Sequence, residues 1–285
     1  MSDKKLLNYT RKYALDVDFM PRPELYMPPF ERVISRLKYK PDLFHFELRS
    51  EPISDLLAMK PSGLTWEECC LRRASDLLKL KKDRYYISYS GGIDSTVAIV
   101  SILRTWPAED LKKITILMSH QSIEENPTFF DQHICQFPFR HYVLGISEQL
   151  IEENALLVSG ELGDQLFGSD ILMSACEAFG DQVLREDYRI AAPKILDLVL
   201  RRRADKAGRP IFDHFHPIVE ECPFPIRTSH DFFWWYNFTQ KWQHVRYRFL
   251  EMIDWNLDAR YGSHVQTFFD SVDFQLWSLE NHDKK

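Results

Sequence analysis

Ser90-Gly91-Gly92-Ile93-Asp94-Ser95-Thr96 decides how this chain reads. Ahead of it runs Tyr85-Tyr86-Ile87-Ser88-Tyr89, an aromatic and β-branched stretch with the composition of a strand. Behind it, Val97 to Leu103 has the composition of a helix. A Gly-Gly turn between strand and helix exposes a row of backbone N–H groups, and the helix N-terminus adds a partial positive charge. Such a turn accepts a multiply charged phosphate, so the stretch predicts a nucleotide held by its phosphates. Ser90, Ser95 and Thr96 add hydroxyl donors, and Asp94 adds a carboxylate for a metal ion. A plain Gly-Gly turn with a helix-capping Asp or Ser is the alternative. Two commoner phosphate loops are excluded: no lysine sits in the stretch, and the third glycine of Gly-x-Gly-x-x-Gly is missing.

Working outward, Thr65-Trp66-Glu67-Glu68 reads as a capping box, and Trp66, Cys70, Ala74, Leu77 and Leu78 follow at helical spacing. Further strands are predicted at Ile114–Met118, Arg140–Leu144 and Ala155–Val158, separated by helical stretches. Alternation of this kind implies an α/β fold with a parallel sheet covered by helices on both faces. Ligands of such sheets bind beyond the C-terminal strand ends. The glycine turn lies at one such end, and Met118-Ser119 at another, where an adenine or ribose would rest.

The strand pattern stops after residue 170. Ile171–Phe179, Asp181–Ile190 and Lys194–Ala207 read as helices, and His230–Ile253 as a long aromatic helix. The proline-spaced segment Pro210–Pro225 reads either as a mobile loop or as a plain helix–helix connection. At the other end, seven of the 15 prolines fall by residue 61. The domain reading is therefore a mostly extended N-terminal arm over 1–60, with a short helix near Phe30 to Leu37, and one main domain over 61–285 with a helical C-terminal region.

The 285 residues are 45% hydrophobic, enough for a sizeable core, and carry a net charge of −6. With a pI near 5.9, that balance argues against general nucleic-acid or anionic-membrane binding. No apolar run reaches membrane-spanning length and Met-Ser-Asp-Lys-Lys leads into no signal core, so a cytoplasmic protein is expected. Cys69, Cys70, Cys135, Cys176 and Cys222 make an odd count without a Cys-x-x-Cys pair, which speaks against a disulfide framework or a zinc ribbon. The basic run Arg201-Arg202-Arg203 with Lys206 and Arg209 reads as a solvated helix end, or else as a nucleotide contact. His214 and His216 lack the partners of a zinc site and read as loop residues.

A second motif follows the fourth strand: Ser159-Gly160-Glu161-Leu162-Gly163-Asp164-Gln165-Leu166-Phe167-Gly168. The first motif resembles the pyrophosphate loop of the ATP pyrophosphatase superfamily. Together the two resemble the synthetase domain of asparagine synthetase and its relatives, the β-lactam-forming synthetases among them, over roughly residues 60 to 275. Those enzymes carry Ser-Gly-Glu-Gly-Ala-Asp-Glu-Leu-Phe-Gly-Gly-Tyr here. Ser159, Gly160, Glu161, Asp164, Leu166, Phe167 and Gly168 match, while Leu162, Gly163, Gln165, Ser169 and Asp170 depart. Gln266-Thr267-Phe268-Phe269-Asp270 resembles the family's Arg-Val-Pro-Phe-Leu-Asp more weakly.

The resemblance implies an adenine nucleotide α-hydrolase-like fold and an AMP-forming ligase using ATP and Mg²⁺. Asp94 and Asp164 would share the metal. Ser90, Gly91, Gly92, Ser95, Thr96, Met118, Ser119, Ser159 and Gly160 would surround the nucleotide. Glu161 would orient an amine. Lys241 is the candidate lysine for the departing pyrophosphate, and otherwise a solvated helix lysine beside Trp234, Trp235, Phe238 and Trp242. Asp270 would be a helix N-cap or a catalytic acid. Residue 2 is serine rather than a nucleophilic cysteine, and about sixty residues precede the matched region, too few for an ordinary glutaminase domain. Nitrogen is therefore expected from ammonia, a substrate amine, or a separate glutaminase or amidotransferase partner. Gln165 and Ser169-Asp170 leave the carboxylate unspecified. A base-modifying ATP pyrophosphatase acting on tRNA or DNA, and a nucleotide-binding module without turnover, are the competing readings.

Overall fold

Five short strands form one parallel sheet in the computed structural model, which describes residues 52–141, 146–168, 170–200, 208–242, 245–246 and 263–284. They are β1 (Arg84–Ser88), β2 (Ile114–Met118), β3 (Phe139–His141), β4 (Ala155–Ser159) and β5 (Val265–Thr267). Their order is β3-β2-β1-β4-β5, with Tyr85 beside Ile114, Tyr86 beside Leu157, Ile116 beside Phe139 and Val158 beside Gln266. Successive strand residues face opposite sides of a sheet. Every residue of β2 and β4 is buried, so both faces there are covered, as uniformly apolar strands require. The chain steps outward from β1 to β2 and β3, then crosses to the far side of β1 to make β4. The connections leaving β1 and β4 thus diverge, and the strand order reverses between these two strands.

The helices of the sheet unit begin with α1 (Trp66–Lys79), whose Thr65–Glu68 capping box forms as predicted. It packs on α2 (Ile93–Thr105), which leaves the first glycine turn. Trp106, at the end of α2, donates its indole N–H to Ala74 O at 2.8 Å and meets Tyr85 edge-on. Next come α3 (His120–Glu125) and α4 (Ser147–Glu152). The described residues divide into two compact units. The sheet unit spans Lys60–Gly163 and Val245–Asn281, and the other contains Asp164–His244.

That second unit is helical: α5 (Gly163–Phe167) leads into it, followed by α6 (Asp170–Phe179), α7 (Tyr188–Leu200), α8 (Gly208–Phe215) and α9 (Ser229–Tyr236). Its core is aromatic, with Phe232, Phe233, Trp234 and Trp235 all buried and the Trp235 indole donating to Ile218 O at 2.8 Å. A π-helical turn, Asn237–Lys241, continues α9. The sheet unit ends in α10 (Val272–Glu280), which packs on α1.

Several expectations are corrected. The region after residue 170 does contain a strand: β5 is three residues long, Val-Gln-Thr, and carries no periodicity to read. Pro193 does not separate two helices but lies inside α7. Pro210–Pro225 is not a loop, because α8 and a 3₁₀ helix over His216–Glu221 occupy most of it. Pro210 and Pro217 fall in the first turns of those helices, where no N–H is needed. His216 is therefore helical, and its ring stacks on Tyr188. Ile53–Ala58 is helical rather than extended. Residues 1–51, the helix expected at Phe30–Leu37, Ser169, Arg201–Arg203 and Lys206 lie outside the described residues. Among the described residues no helix is long and apolar enough to cross a membrane.

All five cysteines are free thiols. Burial pushes Cys69 and Cys222 up to about 12 and Cys70 up to about 11, whereas Cys135 is exposed. Only the thiolate is nucleophilic, so these three thiols stay protonated and unreactive at pH 8. Brief treatment of the folded protein with iodoacetamide at pH 8 should label Cys135 ahead of Cys69, Cys70 and Cys222 by peptide mass spectrometry. Labelling of Cys69 and Cys70 at the Cys135 rate would contradict the packing around α1.

Candidate active site

Three turns leave the C-terminal ends of β1, β4 and β5. The first contains the Gly-Gly pair. Gly91 has φ +87°, a left-handed conformation that costs other residues, and a side chain there would strike Ser122 O at 2.5 Å and Glu125 Cβ at 2.6 Å. Helix α3 thus lies directly against this turn. Gly92 is the N-cap of α2 and has no side chain to satisfy the first-turn N–H groups. The hydroxyls predicted to face a ligand serve the loop itself. Ser95 donates to Gly92 O at 3.0 Å and accepts from Ser90 N at 3.2 Å, and Thr96 donates to Gly92 O at 2.9 Å. Ser90 Oγ lies 3.1 Å from Ser95 Oγ and accepts from Gly92 N. Ser95 is buried, Asp94 half-buried, and Ile93 is 80% exposed at the tip.

The second turn runs from Ser159 to Gly163. Ser159 Oγ accepts from Glu161 N at 3.3 Å. Leu162 has φ +79°, an uncommon conformation for a branched side chain, and is held there by burial. The resembled motif carries glycine at this position. Here the leucine takes the strained position, and the glycine follows it. That displaced glycine has a use: a side chain on Gly163 would meet Asp94 Oδ2 at 2.2 Å. One on Gly160 would meet Ser95 N at 2.7 Å and the Asp94 carbonyl carbon at 2.9 Å. The two glycine turns, separated in sequence by three strands, are therefore in backbone contact. Two bare glycines make this possible, one beneath the start of α2 and one beneath the Asp94 carboxylate.

The third turn, Thr267–Asp270, follows β5 and lies within the stretch that resembles Arg-Val-Pro-Phe-Leu-Asp. Thr267 lies beside Ser159 in the sheet, and Phe268 N donates to Ser159 O at 2.7 Å. Arg73, from α1, reaches over the turn and donates to Thr267 O at 2.7 Å, Phe268 O at 3.0 Å and Gln266 Oε1 at 3.1 Å. Burial lowers its guanidinium to about 10, and it remains charged at neutral pH. Asp270 is not the helix N-cap. Ser271 caps α10, accepting from Phe274 N, and Asp270 instead forms a buried ion pair with Arg246. No alternation marks this stretch, Gln266-Thr267-Phe268-Phe269-Asp270, so its pattern does not tell strand from turn.

The remaining predicted residues are placed as follows. Met118 is buried at the end of β2. Ser119 is the N-cap of α3, in a reciprocal capping arrangement with Ser122. Both stand at a strand end neighbouring the first turn. Glu161 is half-buried in the second turn, and Asp164, which follows Gly163 directly, is exposed. Gln165 is buried, so the amide spares the protein a buried negative charge that a glutamate would bring. Lys241 closes the π-helical turn after α9 and belongs to the helical unit.

A divalent cation with an oxygen-rich, partly phosphate shell needs only one or two protein carboxylates. Asp94, in a turn whose backbone N–H groups can meet phosphate, suits that chemistry. Among the described residues no group of three or more His, Cys, Asp or Glu side chains forms a metal cluster of its own. No protein-family model, curated protein or solved structure matches the chain.

Proposed function

We propose that this protein is an ATP-dependent, AMP- and pyrophosphate-forming amide synthetase of the asparagine synthetase-like kind, with an adenine nucleotide α-hydrolase-like fold. The observation that carries the reading is the backbone contact between the two glycine turns at the strand-order reversal. It brings a phosphate-accepting turn and an acid-bearing turn to one edge of the sheet.

In this reading the triphosphate of ATP lies along Ser90–Thr96, with the adenosine toward Met118 and Ser119. Asp94 and Asp164 would hold Mg²⁺, which supplies charge neutralisation of the phosphates. A substrate carboxylate oxygen bonds to the α phosphorus while the bond from that phosphorus to the β-bridging oxygen breaks. Pyrophosphate leaves, and Lys241 would balance its growing charge. The product is an acyl adenylate. An amine or ammonia then attacks the acyl carbon, the bond to the AMP oxygen breaks, and the amine proton passes to Glu161. AMP leaves with one oxygen of the original carboxylate. The amine comes from solution, from the substrate, or from a separate glutaminase or amidotransferase partner. A cytoplasmic setting belongs to the same reading, supported by five cysteines that are all free thiols.

The test is isotopic. A panel of amino-acid and dicarboxylic acids labelled with ¹⁸O in the carboxylate is incubated with ATP, Mg²⁺ and hydroxylamine. One label per turnover should appear in AMP, alongside a hydroxamate and pyrophosphate. Formation of ADP and phosphate, or of AMP without label, would exclude acyl adenylation and leave the base-modifying or non-catalytic readings.

A further inference from the structure

The helix that follows the acid-bearing motif is tied to the turn that carries Lys241. Gly168 N donates to Asp164 O at 2.9 Å, which closes the single turn of α5. Gly168 O accepts in its turn from Nδ2 of Asn237. Gly168 also faces His230, whose Nε2 a side chain at position 168 would meet at 3.3 Å. His230 lies in α9 and Asn237 in its continuation, seven positions on, so the two share a helix face and both reach Gly168. Asn237 opens the π-helical turn Asn237–Lys241. Such turns are rare and recur at functional sites. Lys241 closes the turn four positions after Asn237 and so projects from nearly the same side. A chain of contacts thus runs from the Asp164 backbone through Gly168 and Asn237 to the turn of Lys241, all within the helical unit.

Stability alone does not account for an asparagine here. Its side chain is fully buried and its Oδ1 has no hydrogen-bond partner, an arrangement that costs free energy. What the amide supplies is one directed bond to the residue that ends the motif. We infer that Asn237 is a positioning residue for the adenylation step: its amide fixes the π-helical turn against Gly168 and so sets Lys241 in place relative to Asp164. This inference rests on the synthetase reading above, in which Asp164 holds Mg²⁺ and Lys241 meets the departing pyrophosphate. Asn237 is buried and touches neither ligand; it acts through Lys241.

The test is a double-mutant cycle on the full chain, with ATP, Mg²⁺ and whichever acid of the labelled panel gives pyrophosphate. Asn237→Ala should slow pyrophosphate release about tenfold, within the range over which coupled residues interact. ATP affinity by calorimetry should stay at the wild-type value, because Lys241 acts on charge that develops only as pyrophosphate leaves. Lys241→Met, which keeps an apolar stem, should slow release at least as far. The double variant N237A/K241M should match K241M within about twofold. A contact that only held the fold together would slow release equally with and without Lys241, so the cycle separates positioning from general loosening. N237S carries the same cycle if N237A does not fold. Equal effects of the Asn237 substitution in both backgrounds, or wild-type release in N237A or in K241M, overturn the positioning role and leave the synthetase reading standing. Absence of acid-dependent pyrophosphate from the wild type overturns that reading, and this inference with it.

Discussion

Asp94→Asn should leave the protein folded and cut Mg²⁺-dependent pyrophosphate release at least about a hundredfold, the scale of losing one preorganised electrostatic contact in a reacting centre. The substitution preserves shape. The bare Gly163 beneath the Asp94 carboxylate gives an amide the same room, so packing supplies no reason for unfolding. What changes is charge. Mg²⁺ binds hard anionic oxygens and gives up its water reluctantly, and a neutral amide oxygen is a poor replacement beside phosphates. Circular dichroism and thermal unfolding check the fold, and release is measured across a Mg²⁺ titration. The loss should shrink at high Mg²⁺ if Asp94 acts by binding the metal. Release within a few-fold of wild type at every Mg²⁺ concentration would remove Asp94 from the metal site and leave it a first-turn helix acid.

The sequence made some of this legible and concealed the rest for physical reasons. β2 and β4 could be read because a strand buried on both faces has no room for polar residues, and Ile114–Met118 and Ala155–Ser159 carry almost none. The capping box at Thr65 could be read because its chemistry is local, complete within four residues. β5 could not, since three residues that owe their shape to pairing with β4 leave no pattern of their own. Prolines misled over 210–225. A proline forbids an internal N–H bond but is tolerated where that bond is not required, and which case applies depends on helix starts that the sequence leaves open.

The site shows the same division. The residues of each glycine turn were evident, and the resemblance implied that the two turns lie at neighbouring strand ends; the strand order that brings them there, β4 beside β1 rather than beside β3, was not. The ion pair that takes Asp270 away from the helix cap depends on Arg246, twenty-four positions earlier. Leu162 is the clearest case of information held only in three dimensions. A leucine in a run of small and acidic residues looks like ordinary core, and its positive φ becomes visible only once the turn is closed around it.

Gly160→Ala should have the second large effect, and it tests the contact on which the proposed function depends. The β-carbon would stand 2.7 Å from Ser95 N and 2.9 Å from both the Asp94 carbonyl carbon and Ser95 Cα. All three are backbone atoms at the start of α2, so no side chain can swing aside to relieve the clash. The two turns must separate, or the strand ends must shift. Overpacking of this kind costs roughly 1–3 kcal/mol, which would appear as a lowered melting temperature. Separation also moves Asp94 away from the second turn, so nucleotide binding should weaken together with stability. Gly63 provides the comparison: it has open space around its β-carbon position, so a substitution there adds a side chain without a clash. Its positive φ makes Gly63→Asn the suitable control, as asparagine tolerates that conformation better than other residues. ATP affinity measured by calorimetry should fall in G160A and hold in G63N. Wild-type affinity and melting temperature in G160A would mean that the turns can part freely, and the shared phosphate and metal site would lose its structural basis.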